Sequence, residues 1–201
     1  MDAVEFDRII RAAPRHEDRI AWFGALLAKD SRTDVEIVGG SAIEIYLSSA
    51  DYISQDVDLV GHRDRIIPVL RRWGFRQVQG RSHRVYWLKK TIGLVDIVGA
   101  GDRSGLRPRR METPHGPVLV SAVEPLIVRR LMRAHRERSN EFFRQAVSLA
   151  KQGQFDWEYL EAMASYEQTT PLLNRLRKAI QTKRAVRARL ATTVPTRPRR
   201  L

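Results

Sequence analysis

Val38-Gly39-Gly40-Ser41-Ala42-Ile43-Glu44-Ile45-Tyr46, followed by Ser54-Gln55-Asp56-Val57-Asp58-Leu59-Val60, is the stretch on which the fold turns. Just before it, Asp34 to Val38 alternates charged and β-branched residues, which is the pattern of a strand, and stops at Gly39-Gly40. Ser41 to Ser49 then has helical periodicity through Ala42, Ile43, Ile45 and Tyr46. Asp56 to Val60 reads as a second strand. Glycines between a strand and a helix let the backbone approach a ligand closely. The helix start behind them offers free N–H groups and a positive dipole end to a phosphate. Ser41 adds a hydroxyl donor. A tight turn with no ligand would use the same glycines.

Side chains alternate along a strand, so Asp56 and Asp58 project from one face while Val57 and Leu59 pack into the core. Two like charges about 7 Å apart on one face are costly unless something compensates them. A divalent cation does so, and Mg²⁺ favours a few carboxylates together with substrate phosphate oxygens. A solvated strand face is the plainer explanation of the same pair. Further on, Ile92-Gly93-Leu94-Val95-Asp96-Ile97-Val98 sets one carboxylate in an apolar run. Such a run reads as a strand buried on both faces, where a free Asp is expensive. Asp96 is therefore either functional or paired with a buried arginine. Asp56, Asp58 and Asp96 together are the carboxylate set that bridging two cations requires, with the glycine turn as a triphosphate cradle.

Outward from this centre, residues 1–30 read as helix interrupted at Pro14. Arg63 to Trp73 is an amphipathic helix ended by Gly74. Phe75 to Gln79, Arg84 to Lys89 and Ile92 to Val98 form a run of strands, the last two a hairpin around Lys90-Thr91. Arg103 to Gly116 is expected to be a loop, and Pro117 to Val120 a short strand. Helical periodicity takes over in Ala122–His135, Asn140–Gln152, Asp156–Tyr166 and Pro171–Ala191, with Asp156 and Pro171 where helix starts belong. The expected architecture is α/β (α+β): a small mixed sheet flanked by helices, then a helical C-terminal part. The expected division is a core at 1–121, helices at 122–191 and a disordered basic tail at 192–201.

Composition narrows the partners. The 201 residues carry 36 Lys+Arg against 23 Asp+Glu, a net charge of +13. A positive surface raises the local concentration of polyanions, and neutralising phosphates releases counterions. A high-GC genome, which encodes arginine wherever a basic surface residue will do, explains the choice of Arg over Lys but not the excess itself. The longest apolar run, Ile20 to Ala28, is less than half of the roughly 20 residues that a membrane span requires. No cysteine is present, which excludes disulfides and thiolate metal sites and fits a cytoplasmic protein. The histidines at 16, 62, 83, 115 and 135 lack metal-ligand spacing, and Trp22, Trp73, Trp87 and Trp157 read as core residues.

The motifs Gly39-Gly40-Ser41, Asp56-Val57-Asp58 and the later Asp96, in that order, resemble the polymerase-β-like nucleotidyltransferase superfamily. The wording of residues 39–46 and 54–59 looks like its small bacterial and archaeal branch. That branch includes the toxins of toxin–antitoxin and abortive-infection systems. The resemblance spans roughly residues 34–135. It implies a catalytic and metal-binding triad of Asp56, Asp58 and Asp96, with Mg²⁺ or Mn²⁺ as cofactor and an NTP such as ATP as co-substrate. It implies nucleotide phosphates bound at Gly39, Gly40 and Ser41. Glu124-Pro125-Leu126-Ile127 matches the start of the branch's next helix, which places Arg130 where a triphosphate-binding Lys is expected; a snorkelling surface arginine is the alternative. The implied activity is transfer of an NMP to an acceptor hydroxyl. With +13, the expected acceptor is RNA, at a tRNA 3′ end, with an antitoxin protein as a possible partner. A non-catalytic module of the same fold, binding nucleic acid or protein, is the rival reading.

Overall fold

The computed structural model describes residues 1–48, 52–79, 85–99, 106–152 and 155–192, with side chains through residue 181. His83, Arg84, the start of the Arg103–Gly116 stretch and the basic tail from residue 193 lie outside the described residues. The chain divides into two compact units, Met1–Leu126 and Ile127–Leu201. The boundary falls inside a helix rather than at its start.

The first unit opens with α1 (Ala3–Arg11) and α2 (His16–Ser31). Asp2 caps α1 by accepting from the amides of Val4 and Glu5, both at 2.9 Å. The remaining elements are β1 (Val35–Val38), α3 (Gly39–Leu47), β2 (Asp56–Gly61), α4 (Arg63–Arg72), β3 (Arg76–Gln79), β4 (Val85–Lys89), β5 (Gly93–Gly99), β6 (Arg109–Thr113) and β7 (Gly116–Val120). The described strands form one sheet in the order β3-β4-β5-β2-β1-β7-β6. It is mixed: β2/β5 and β1/β7 are parallel, and the other neighbours are antiparallel.

Alternation divides the sheet's residues between two faces. Val35, Ile37, Val57, Leu59, Val95, Ile97, Val118 and Val120 are buried on one, against which α2 packs. Phe6, Phe23, Trp73 and Phe75 extend that core, with Phe6 and Trp73 stacked at 4.4 Å. Aromatic burial on this scale is a main stabilising term for a sheet–helix layer. The other face carries Glu36, Asp56, Asp58 and Asp96.

Two expectations need correction. Arg109–Thr113, expected within a loop, is an edge strand paired with β7. Its exposed, polar sequence hides it from any hydrophobic pattern, because the strand is defined by its partner rather than by its own burial. Trp22 and Trp157 are only half-buried, whereas Trp73 and Trp87 are core. The Lys90-Thr91 hairpin includes Ile92, whose amide bonds the Lys89 carbonyl at 3.1 Å, and Gly93 closes it at φ +98°.

The second unit takes most of α5 (Val123–Arg136), then α6 (Asn140–Lys151), α7 (Trp157–Tyr166) and α8 (Thr170–Thr192). Ser139 caps α6 and Asp156 caps α7 through their side chains. α8 packs on α6 and α7, burying Phe143, Leu149, Leu160, Leu173 and Leu176. Arg175 stacks over Phe143 at 4.3 Å, and Arg177 over Trp157 at 4.4 Å. Among the described residues no helix is long and apolar enough to cross a membrane.

Candidate active site

The strand register assembles the carboxylates in two rows across the sheet. In the first, Val38 lies beside Asp58, Asp58 beside Asp96, and Asp96 beside Tyr86. In the second, Asp56 lies beside Leu94, Leu94 beside Leu88, and Leu88 beside Arg76. Laterally paired residues share a face, so all three aspartates project from the same side of β2 and β5. Asp96 is 5% exposed, as its apolar surroundings predict.

The glycine turn presses directly on this row. Gly39 has φ +61°, and a Cβ built there would sit 2.0 Å from Asp58 Oδ2. Only a glycine lets the chain adopt this backbone and still leave room for the carboxylate. A Cβ on Gly40 would meet Ser54 Oγ at 2.6 Å and Tyr52 Oη at 2.7 Å. Both glycines form the first turn of α3 rather than a separate loop, so their backbone N–H groups belong to the helix's free N-terminal set.

Ser41 is positioned differently from the sequence expectation. Its side chain is fully buried, and the hydroxyl donates to the Asp56 carbonyl at 2.7 Å. Ser54 Oγ donates to the same carbonyl, also at 2.7 Å. The Ser41 hydroxyl thus fixes the start of β2, and its amide remains in the first turn of α3. Beneath lies Glu44, which is 1% exposed. One of its oxygens accepts from the Ser54 amide at 2.8 Å, and the other bonds His16 Nδ1. Charge-assisted hydrogen bonds of this kind are stronger than neutral ones and suit a buried carboxylate. The sequence reading missed Glu44, His16 and Ser54. The signal was available for Glu44: like Asp96, it is a lone carboxylate among apolar residues.

Tyr46 ties the other side of α3 to the end of β7. Its hydroxyl donates to the Ser121 carbonyl at 2.9 Å, and the Arg109 guanidinium lies 5.6 Å over its ring. Burial pushes its pKa up to about 12, with Arg109 opposing and Glu124 and Glu36 adding to the rise. Glu36, 8% exposed, pairs in register with Val60 and so joins the carboxylate face. At the opposite sheet end, His115 packs edge-on against Trp22. Burial and the nearby Lys29 lower its pKa.

The donor set on this face is oxygen only, which is the chemistry of a hard cation such as Mg²⁺ or Mn²⁺. The arrangement of the side chains is less complete. Among the described residues no three or more His, Cys, Asp or Glu side chains form a group able to hold a metal ion. Asp58 and Asp96 are neighbours in one row, and Asp56 stands one row away. Arg130 lies in the second unit, buried, with its guanidinium 5.5 Å over the Phe142 ring. Arg133 stacks on the same ring at 4.0 Å and pairs with Glu137 at 2.8 Å.

A solved structure of an antigenic nucleotidyltransferase-like protein from Paracoccidioides brasiliensis is similar to this chain. Its TM-score is 0.59 at 14% identity, covering 83% of this chain and 94% of that one. The chain therefore has a nucleotidyltransferase-like fold. Two structures of ANT(2″)-Ia also align. One, in complex with adenylyl-2″-tobramycin, has TM-score 0.48 at 18% identity over 73% and 94% of the chains. The other, a solution structure, has TM-score 0.42 at 16% identity over 96% and 100%. These two scores add nothing to the fold assignment. No protein-family model matches the chain, and no curated protein does.

Proposed function

We propose, from the nucleotidyltransferase-like fold and the carboxylate rows it carries, that this chain transfers a nucleotidyl group from an NTP to an acceptor hydroxyl, releasing pyrophosphate. The observation that carries this reading is the Val38–Asp58–Asp96–Tyr86 row, with Gly39 set against the Asp58 carboxylate. Asp58 and Asp96, neighbours in one row, would hold a divalent cation, Mg²⁺ or Mn²⁺, with Asp56 of the next row as a further oxygen ligand. When bound, the cation neutralises triphosphate charge and favours ionisation of the acceptor hydroxyl. The amides of Gly39, Gly40 and Ser41 face the triphosphate at the start of α3. Ser41, Ser54 and Glu44 act one layer back, by fixing the backbone that carries Asp56. The acceptor favoured by the +13 charge is RNA, at the 3′ end of a tRNA. Nucleotide addition there blocks the end that must be charged with an amino acid. That outcome suits a toxin held in check by an antitoxin protein.

A second reading is a non-catalytic module of the same fold. It is favoured by one observation, that the three aspartates do not stand as a ready three-ligand group. Binding separates the two readings. Equilibrium dialysis of each α-³²P-NTP with and without Mn²⁺ is expected to show metal-dependent binding to the wild-type chain. Asp58→Asn and Asp96→Asn should each weaken it at least tenfold, with the circular dichroism spectrum unchanged. NTP binding that is absent, or indifferent to Mn²⁺ and to both substitutions, selects the non-catalytic module.

A further inference from the structure

Arg11, Arg76, Lys89 and Lys90 line a cleft of about 440 Å³ together with Asp7, Gly74, Leu88 and Thr91. The cleft gathers four cations and one carboxylate. Asp7 is already engaged, bonding Lys89 Nζ at 3.1 Å and accepting from Thr91 Oγ1 at 2.8 Å. That clamp holds Lys89 in place against the ring of Phe6, 5.8 Å away. Arg11, Arg76 and Lys90 are exposed, and among the described residues none of their three charged side-chain groups has a hydrogen bond or ion pair. Unneutralised cations around a concave surface focus a positive field into it.

The cleft's place in the sheet relates it to the carboxylates. Arg76 stands in the second row, in register through Leu88 and Leu94 with Asp56. Three interstrand spacings of about 4.8 Å separate them, or about 14 Å. About four stacked nucleotides, at roughly 3.4 Å each, span that distance. The start of β3, the end of β4 and the β4–β5 turn all lie at the sheet end where β1 finishes and β2 begins. Alternation puts Arg76 on the carboxylate face, whereas Lys89 and the α1 residue Arg11 lie on the helix-packed face. A strand of nucleic acid with its reactive end over Asp56 therefore reaches Arg76 first and turns over this shared sheet end toward Lys90 and Arg11.

We infer that this cleft is the backbone-binding site for an RNA acceptor, holding phosphates a few nucleotides back from the hydroxyl that reacts. The inference rests on the nucleotidyl-transfer reading for the direction of the strand, but not for the binding itself. Such contacts position without reading sequence, so the cleft grips any RNA of suitable end geometry.

The test is fluorescence anisotropy of a labelled single-stranded RNA oligonucleotide with the full chain. It compares wild type, the triple variant R11E/R76E/K90E, and Lys29→Glu at the opposite end of the sheet. The triple variant is expected to raise Kd at least tenfold. Loss of three phosphate contacts lowers the log–log salt slope by about 2. Lys29→Glu should change Kd by less than about twofold, as an exposed cation remote from the contacts. Three outcomes overturn the inference: unchanged RNA affinity in the triple variant, an equal loss in Lys29→Glu, or displacement of the RNA by anionic phospholipid vesicles through the same three residues. Metal-dependent NTP binding, measured on the same variants, keeps the two readings apart. A chain that binds RNA through the cleft but no NTP refutes nucleotidyl transfer and leaves the cleft standing. A chain that binds NTP normally, with RNA affinity indifferent to the cleft, does the reverse.

Discussion

Tyr46 shows at the scale of one residue how burial becomes a pH dependence. Its hydroxyl is neutral and donates to the Ser121 carbonyl, and its pKa is raised to about 12 from 10. The folded state therefore binds the phenolic proton more tightly than the unfolded chain does. Its stabilisation is complete below pH 10 and is lost as pH rises toward 12. Tyr46→Phe removes one half-buried hydrogen bond, at a cost of about 1 kcal/mol near neutrality. It also flattens the decline in stability between pH 10 and pH 12, read from urea unfolding at several pH values. A decline as steep as in wild type would show that Tyr46 is not the titrating group. Single residues were also the most legible level of the sequence. Asp96 stood out because a carboxylate in an apolar run must be accounted for, and it is buried as expected.

At the scale of elements, the junction from β1 through α3 to β2 is held by its own second layer. Glu44 links the Ser54 amide to His16 while the Ser41 and Ser54 hydroxyls converge on the Asp56 carbonyl. Glu44→Ala leaves the Ser54 amide unpaired and frees the segment that enters β2. The expected cost is about 3 kcal/mol of unfolding free energy, with NTP affinity falling in the variant that remains folded. A change below about 0.5 kcal/mol, the level of an ordinary surface substitution, would contradict this role. Helix and strand positions were readable here because periodicity and glycine punctuation agree. The partners of Glu44 were not, since His16 comes from a distant helix. β6 escaped for a related reason: its polar sequence has no period, and only its pairing with β7 makes it a strand.

The whole molecule brings non-local choices into one place. Asp56, Asp58 and Asp96 were legible as residues, but their rows follow from the parallel register of β2 with β5. Register depends on pairings that no local pattern specifies. Arg76 in the Asp56 row and Tyr86 beside Asp96 were invisible for the same reason. The carboxylate face and the basic cleft share one end of the sheet, the first proposed to take the nucleotide and the second the acceptor backbone.

The role proposed for this face is nucleotidyl transfer. Its most direct test is incubation of the full chain with each α-³²P-NTP, Mg²⁺ or Mn²⁺, and total tRNA, beside Asp58→Asn. Wild type is expected to label the RNA in a metal-dependent way, and the variant at least a hundredfold less. Label that reaches no RNA with any NTP and either metal, or that Asp58→Asn transfers as well as wild type, would contradict it.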